Sequence, residues 1–220
     1  MFFRLRNKDK DKKEESGGKV KYIVVGLGNP GKKYLFNRHN AGFLALDYIS
    51  QKYDFKINNV KFKSLCGRYT STVESQSENG EIIKNKFDVL FMKPQTYMNG
   101  SGEAVSEAAR FYKIPTGNIL VISDDISLPV GKLRIRKSGS DGGQKGLRSI
   151  IENLSSDEFP RIKIGVGEKP HPDYEAADWV LSNFPKEDEK IIFETFIKVC
   201  ECVDMFMKEM PIEKIQNKYN

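Results

Sequence analysis

Two apolar patterns alternate along the chain, and between them they predict most of its elements. Tyr22-Ile23-Val24-Val25 and Ile119-Leu120-Val121-Ile122 are unbroken apolar runs of strand length, the pattern of strands covered on both faces. Phe43, Leu44, Leu46, Tyr48 and Ile49 recur at helical spacing and predict a helix opening near Asn40. The same spacing predicts helices over 101–112 (Ala104, Val105, Ala108, Phe111, Tyr112) and around Leu147, Ile150, Ile151 and Leu154. Another runs from Lys186 to Glu209, with Ile192, Phe196, Val199, Val203 and Phe206 on one stripe; Pro211 breaks it before a short terminal helix. Strands are predicted near 68–74 and 87–92 around a polar loop at Ser75–Gly80, and again over Arg161–Val166. Strands alternating with helices, with extra strands in the middle, predict an α/β domain: one globular unit with a mixed, mostly parallel central sheet flanked by helices.

Composition narrows this picture at the ends. The 220 residues suit one domain, and no apolar run approaches the roughly 18–20 residues that span a bilayer. Residues 1–21 carry eight Lys/Arg against four Asp/Glu and no apolar period after Leu5, so they are expected to form a charged, disordered tail ahead of a domain over 22–220. The first residues run into Lys and Asp without an apolar stretch, which argues against a secretory leader. Cys66, Cys200 and Cys202 have no disulfide or zinc spacing; Cys200 and Cys202 fit core thiols, and a reducing cytoplasm is the expected compartment.

The formal charge of +6 is mostly that of the tail, since residues 22–220 hold 28 basic and 26 acidic groups. Within them, Lys132 to Arg148 concentrates six cations against Asp141 alone, and Lys132, Arg134 and Arg136 would share one face of a strand. On its own this reads as the solvated face of an edge strand; its junction with the loop Gly142-Gly143 leaves phosphate binding as the alternative.

Gly26-Leu27-Gly28-Asn29-Pro30-Gly31 satisfies the G-x-G-x-x-G dinucleotide pattern, with Asp47 about twenty residues on. The context does not: helix spacing starts only near Asn40, and Asp47 falls inside that helix. The loop instead leads to Arg38-His39-Asn40, and His39 is one of two histidines in the chain. A histidine beside a polar turn can serve as a general base if a carboxylate orients it. Asp124, at the carboxyl end of the Ile119–Ile122 strand, is the favoured partner and Asp125 its rival. Asn99, in Lys93–Gly102, could hold a carbonyl or simply cap the helix that follows. His171, in a proline-fixed loop, is assigned no role, and no metal-ligand cluster is evident.

Four segments in order resemble the bacterial peptidyl-tRNA hydrolase family: Gly26–Gly31 with Tyr34, Arg38-His39-Asn40-Ala41-Gly42, Lys93–Gly102, and Asp124-Asp125-Ile126-Ser127-Leu128-Pro129. The resemblance spans about residues 22–216. It implies a monomeric, cofactor-free cytoplasmic enzyme that hydrolyses the ester between peptide and tRNA. In it His39 would activate water and Asp124 orient the imidazole, with Asn29 completing the catalytic set. Tyr34, Tyr97, Asn99 and Lys145 would bind substrate, and Arg134, Arg136 and Lys163 would contact tRNA. The chain departs from the family at Gln144-Lys145, where His-Asn is usual, and at Ser127, where an acid is common. Lys145 could compensate by reaching a tRNA phosphate. The alternative is a relative of the same fold that binds RNA in splicing without hydrolysing it.

Overall fold

The computed structural model of the protein describes residues 18–77 and 79–220. Residues 1–17 of the expected tail lie outside it. The first strand, β1 (Val20–Gly26), begins two residues inside that expected tail, because Val20 is already buried. The other strands are β2 (Asn59–Lys61), β3 (Ser64–Gln76), β4 (Ile82–Pro94), β5 (Ile119–Asp125), β6 (Leu133–Arg136) and β7 (Arg161–Gly165). The helices are α1 (Ala41–Lys52), α2 (Ser101–Tyr112), α3 (Lys145–Leu154), α4 (Ala176–Leu181), α5 (Glu189–Met207) and α6 (Ile212–Tyr219).

Among the described residues the strands form one seven-stranded sheet in the order β2-β3-β4-β1-β5-β7-β6. The central strands β4, β1, β5 and β7 are mutually parallel; β3 and β6 run against them. The unbroken apolar runs sit in the middle because both faces there are covered. Tyr22, Val24, Leu120 and Ile122 pack into a core with α1, α5 and α6. Their alternating neighbours Ile23, Val25, Ile119 and Val121 pack into a second core with residues of α2 and α3. All three cysteines are buried thiols, and burial pushes Cys66 up to about 11 and Cys202 to about 12.

The β3–β4 hairpin is longer than its apolar pattern predicts, since pairing continues from Thr72↔Lys86 to Gln76↔Ile82 with mostly exposed side chains on both strands. Backbone pairing alone carries those rungs, so the sequence has no core-facing period there. β2 and α4 were not predicted for the same reason, as neither buries a residue. The long helix also starts later than expected, a 3₁₀ turn (Lys186–Asp188) taking the place of its first residues. On β6, Leu133 and Ile135 face the core while Arg134 and Arg136 take the other face; Lys132 lies just outside the strand.

The glycine loop is where α1 meets the sheet. A Cβ on Gly42 would stand 2.4 Å from the Ile122 carbonyl oxygen, and one on Gly26 would stand 2.4 Å from the Gly42 carbonyl oxygen. These glycines let a helix and two strands touch backbone to backbone. Asp47, in α1, is spent on Lys93, whose Nζ lies 2.7 and 2.8 Å from its two oxygens.

Candidate active site

A cleft of about 580 Å³ opens beyond the carboxyl ends of β1 and β5, where open α/β sheets place ligands. β1 delivers Asn29, the 3₁₀ turn Arg38–Asn40 delivers His39, and β5 ends in Asp124 and Asp125. The loop before α2 adds Tyr97, Met98 and Asn99, and α3 adds Lys145.

His39 and Asp124 meet. Nδ1 of His39 lies 2.8 Å from Oδ2 of Asp124, with side chains 12% and 3% exposed. An ionised carboxylate only accepts, so Nδ1 carries the proton and Nε2 is the ring nitrogen left with a lone pair. This resolves the rivalry between neighbouring acids. The side chain of Asp125 is turned away to Lys163, 3.2 Å distant, and accepts bonds from the Ser127 N–H and hydroxyl at 2.8 and 2.6 Å. Burial raises the Asp125 carboxyl, but those bonds and the Lys163 charge outweigh it and hold the group below its ordinary value.

The remaining polar groups close a ring around the pair. Asn40, buried, accepts from the Asn29 N–H at 2.8 Å and donates to the Asn29 carbonyl at 3.0 Å. Oδ1 of Asn29 accepts from the Met98 N–H at 3.0 Å. Gln144 spans Met98 and Asp124, its Nε2 lying 3.2 Å from Met98 Sδ and 3.0 Å from Asp124 Oδ1. Each loop of the site is thereby tied to the next. Asn40 and Gln144 were not singled out as site residues from sequence. Asn40 lay within a matched motif, but a glutamine's reach across the fold leaves no local signal.

Tyr97 holds φ 55° and ψ 170°, a conformation that is nearly glycine-only and costs about 1–3 kcal/mol. The Met98–Asn29 bond and the Gly100 N–H to Tyr97 carbonyl bond fix it there. The twist leaves the Tyr97 ring exposed at the cleft, edge-on to Tyr34 with centroids 6.4 Å apart. Tyr34 therefore lies beside the cleft, in contact with Tyr97. Asn99 is exposed on the cleft, as is Lys145 at the first position of α3.

The expected tRNA contacts divide. Arg134 is opposite Lys163 in register and lies 3.9 Å from Asp125, while Arg136 is exposed further along the edge strand. Lys163 differs from an open phosphate contact, being 12% exposed and paired with Asp125. Among the described residues no group of three or more His, Cys, Asp or Glu is placed to hold a metal ion, and no helix is long and apolar enough to cross a membrane.

A family model described as peptidyl-tRNA hydrolase matches residues 23–220. A peptidyl-tRNA hydrolase of Lachnospira eligens is 46% identical over 199 residues, covering 90% of this chain and 99% of that protein. One of Caldicellulosiruptor bescii is 43% identical over 199 residues, with 90% and 96% covered. The crystal structure of peptidyl-tRNA hydrolase from Acinetobacter baumannii matches with a TM-score of 0.77 at 29% identity, over 93% of this chain and 97% of that one.

Proposed function

The chain belongs to the peptidyl-tRNA hydrolase family and hydrolyses the ester joining a peptide to tRNA, and we propose that His39 is the base that activates the attacking water. The observation that carries this reading is the 2.8 Å pairing of His39 Nδ1 with the buried Asp124. Asp124 fixes the tautomer and supports the imidazolium as it forms. Nε2 takes a proton from water, the hydroxide attacks the ester carbonyl, and the imidazolium returns the proton to the departing ribose oxygen. Asn29 has spent its Oδ1 on Met98, so its Nδ2 is the group left to donate to the carbonyl oxygen as charge develops there. Asn99 and Tyr97 line the cleft for the peptide and the tRNA end, with Tyr34 behind Tyr97.

Arg136, Arg134 and Lys145 supply a phosphate-reading edge, with Lys163 beneath it, and the products are a free peptide and a tRNA ready for reuse. The enzyme acts as a cytoplasmic monomer without a cofactor, its catalytic domain beginning at β1. Buried thiols of raised pKa and a tRNA substrate suit that compartment.

The test is release of peptide from a model peptidyl-tRNA by the wild type and by His39→Ala. The expected loss is about 10²–10⁴-fold in kcat. Turnover that survives the substitution would overturn the role of His39, and a wild type that binds the substrate without cleaving it would favour the RNA-binding alternative.

A further inference from the structure

Gln144 is buried at the junction of three parts of the site, and every polar atom of its side chain is engaged. Oε1 accepts from the Leu147 N–H at 2.9 Å and so caps α3. Nε2 reaches Asp124 Oδ1 at 3.0 Å, the oxygen that His39 leaves free, and lies 3.2 Å from Met98 Sδ. Helix capping accounts for Oε1 only. Serine, threonine, aspartate or asparagine would cap as well from a shorter side chain, and none would extend to Asp124 from this position.

We propose that Gln144 is a positioning residue for hydrolysis: its amide group holds the Asp124 carboxylate in the orientation that aims His39, and ties that carboxylate to the start of α3. The inference rests on the assignment of His39 and Asp124 made above. A carboxylate anchored through one oxygen can swing about its Cβ–Cγ bond; anchored through both, it presents Oδ2 to the imidazole at a fixed angle. Gln144 is itself immobilised by its cap, and the turn delivering it is set by Gly142 and Gly143, at φ 58° and 84°. Rigidity is passed from the helix terminus to the carboxylate and from there to the ring. A glutamine does this with a donor that does not titrate, so the support is the same at every working pH.

Gln144→Ser separates the two jobs, because serine keeps a capping oxygen and gives up the arm to Asp124. The expected result is a kcat lowered about tenfold to a hundredfold, the scale on which partners of functional side chains act, with KM within about twofold and the thermal midpoint near that of the wild type. Gln144→His, which restores a ring N–H of similar reach, is expected to recover most of the lost kcat. A Gln144→Ser enzyme with wild-type kcat, or one whose loss only follows a lowered folded fraction, would overturn the inference. Should Gln144→Ser fail to fold, Gln144→Leu, which lacks cap and donor alike, measured alongside Gln144→His decides by the same kcat criterion. Failure of the underlying assignment looks different, since turnover would then survive His39→Ala.

Discussion

The guanidinium of Arg38 stacks on the indole of Trp179, its central carbon 3.8 Å from the ring centroid. Arg38 is buried next to His39 and also bonds the Ser182 hydroxyl at 2.6 Å and the Val166 carbonyl at 3.2 Å. Trp179 answers by donating Nε1–H to the Gly167 carbonyl at 2.8 Å. α4 buries no residue of its own; this pair, with the Arg38 N–H bond to the Ser182 carbonyl and the Asn37–Asn183 bridge just beyond it, seats α4 as one wall of the cleft. Trp179→Ala is therefore expected to destabilise the protein by about 1–3 kcal/mol. It should raise KM for peptidyl-tRNA several-fold and leave kcat within about threefold. Steady-state kinetics with thermal unfolding checks this, and a selective loss of kcat would show that α4 acts on the chemistry.

Lys145 stands where the family resemblance leads one to expect an asparagine, and the cleft gives its charge no carboxylate partner within salt-bridge distance among the described residues. A cation at the first position of a helix is mildly disfavoured by the helix dipole, and an anion bound there would offset that cost. Lys145→Asn should raise KM and flatten the dependence of log affinity on log salt by about one unit, as expected for one lost phosphate contact. An unchanged or lower KM would remove Lys145 from the binding surface.

Asp125 is expected to govern part of the acid stability. Its folded pKa is lowered below the unfolded value, here 3.8, so its contribution is complete above that pH and is lost as the pH falls through the folded value. Asp125→Asn leaves Lys163 poorly solvated and unpaired, with Arg134 nearby. At neutral pH the variant should be less stable than the wild type. The gap should close as the wild-type carboxylate protonates, below about pH 4. Urea unfolding at a series of pH values reads this, and a gap that persists unchanged into acid would exclude the pairing as its cause.

How much of this was legible in the sequence follows from where the physics leaves a local trace. β1 and β5 announce themselves because burial on both faces demands unbroken apolar runs, and α5 because one stripe of it meets the core. His39 and Asp124 were readable as a pair from their neighbours, since polar residues concentrated after a glycine turn and at a strand's carboxyl end mark a ligand site. β2 and α4 bury nothing, so no period records them. Lys163 is expected as a tRNA contact from the family resemblance alone; its pairing with Asp125, 38 positions away, is not legible, because only the register of β5 with β7 brings the two together. Gln144 reads in the sequence only as a departure from the resembled motif; its attachment to Asp124 is a property of the folded chain alone.

The glycine loop gives the last expectation. A dinucleotide cradle needs open space above its glycines, yet a Cβ on Gly28 would stand 2.6 Å from the Phe43 ring, and one on Gly42 would meet the Leu27 nitrogen at 2.5 Å. The space is filled by α1, whose Phe43 N–H donates to the Leu27 carbonyl at 3.2 Å. Gly42→Ala must push the helix off β1 and β5, and His39 sits three residues before it. The variant should lose about 3 kcal/mol or more and most of its turnover. Gly117→Ala, with nothing within 4 Å of the added carbon, should stay within about 0.5 kcal/mol of the wild type. NAD should shift the melting temperature of neither the wild type nor Gly117→Ala, because the glycines are occupied in seating a helix. A thermal-shift series with NAD tests both parts: stabilisation by the dinucleotide would return the loop to a cofactor role, and a Gly42→Ala protein as stable as its parent would show that the helix is not held by this backbone contact.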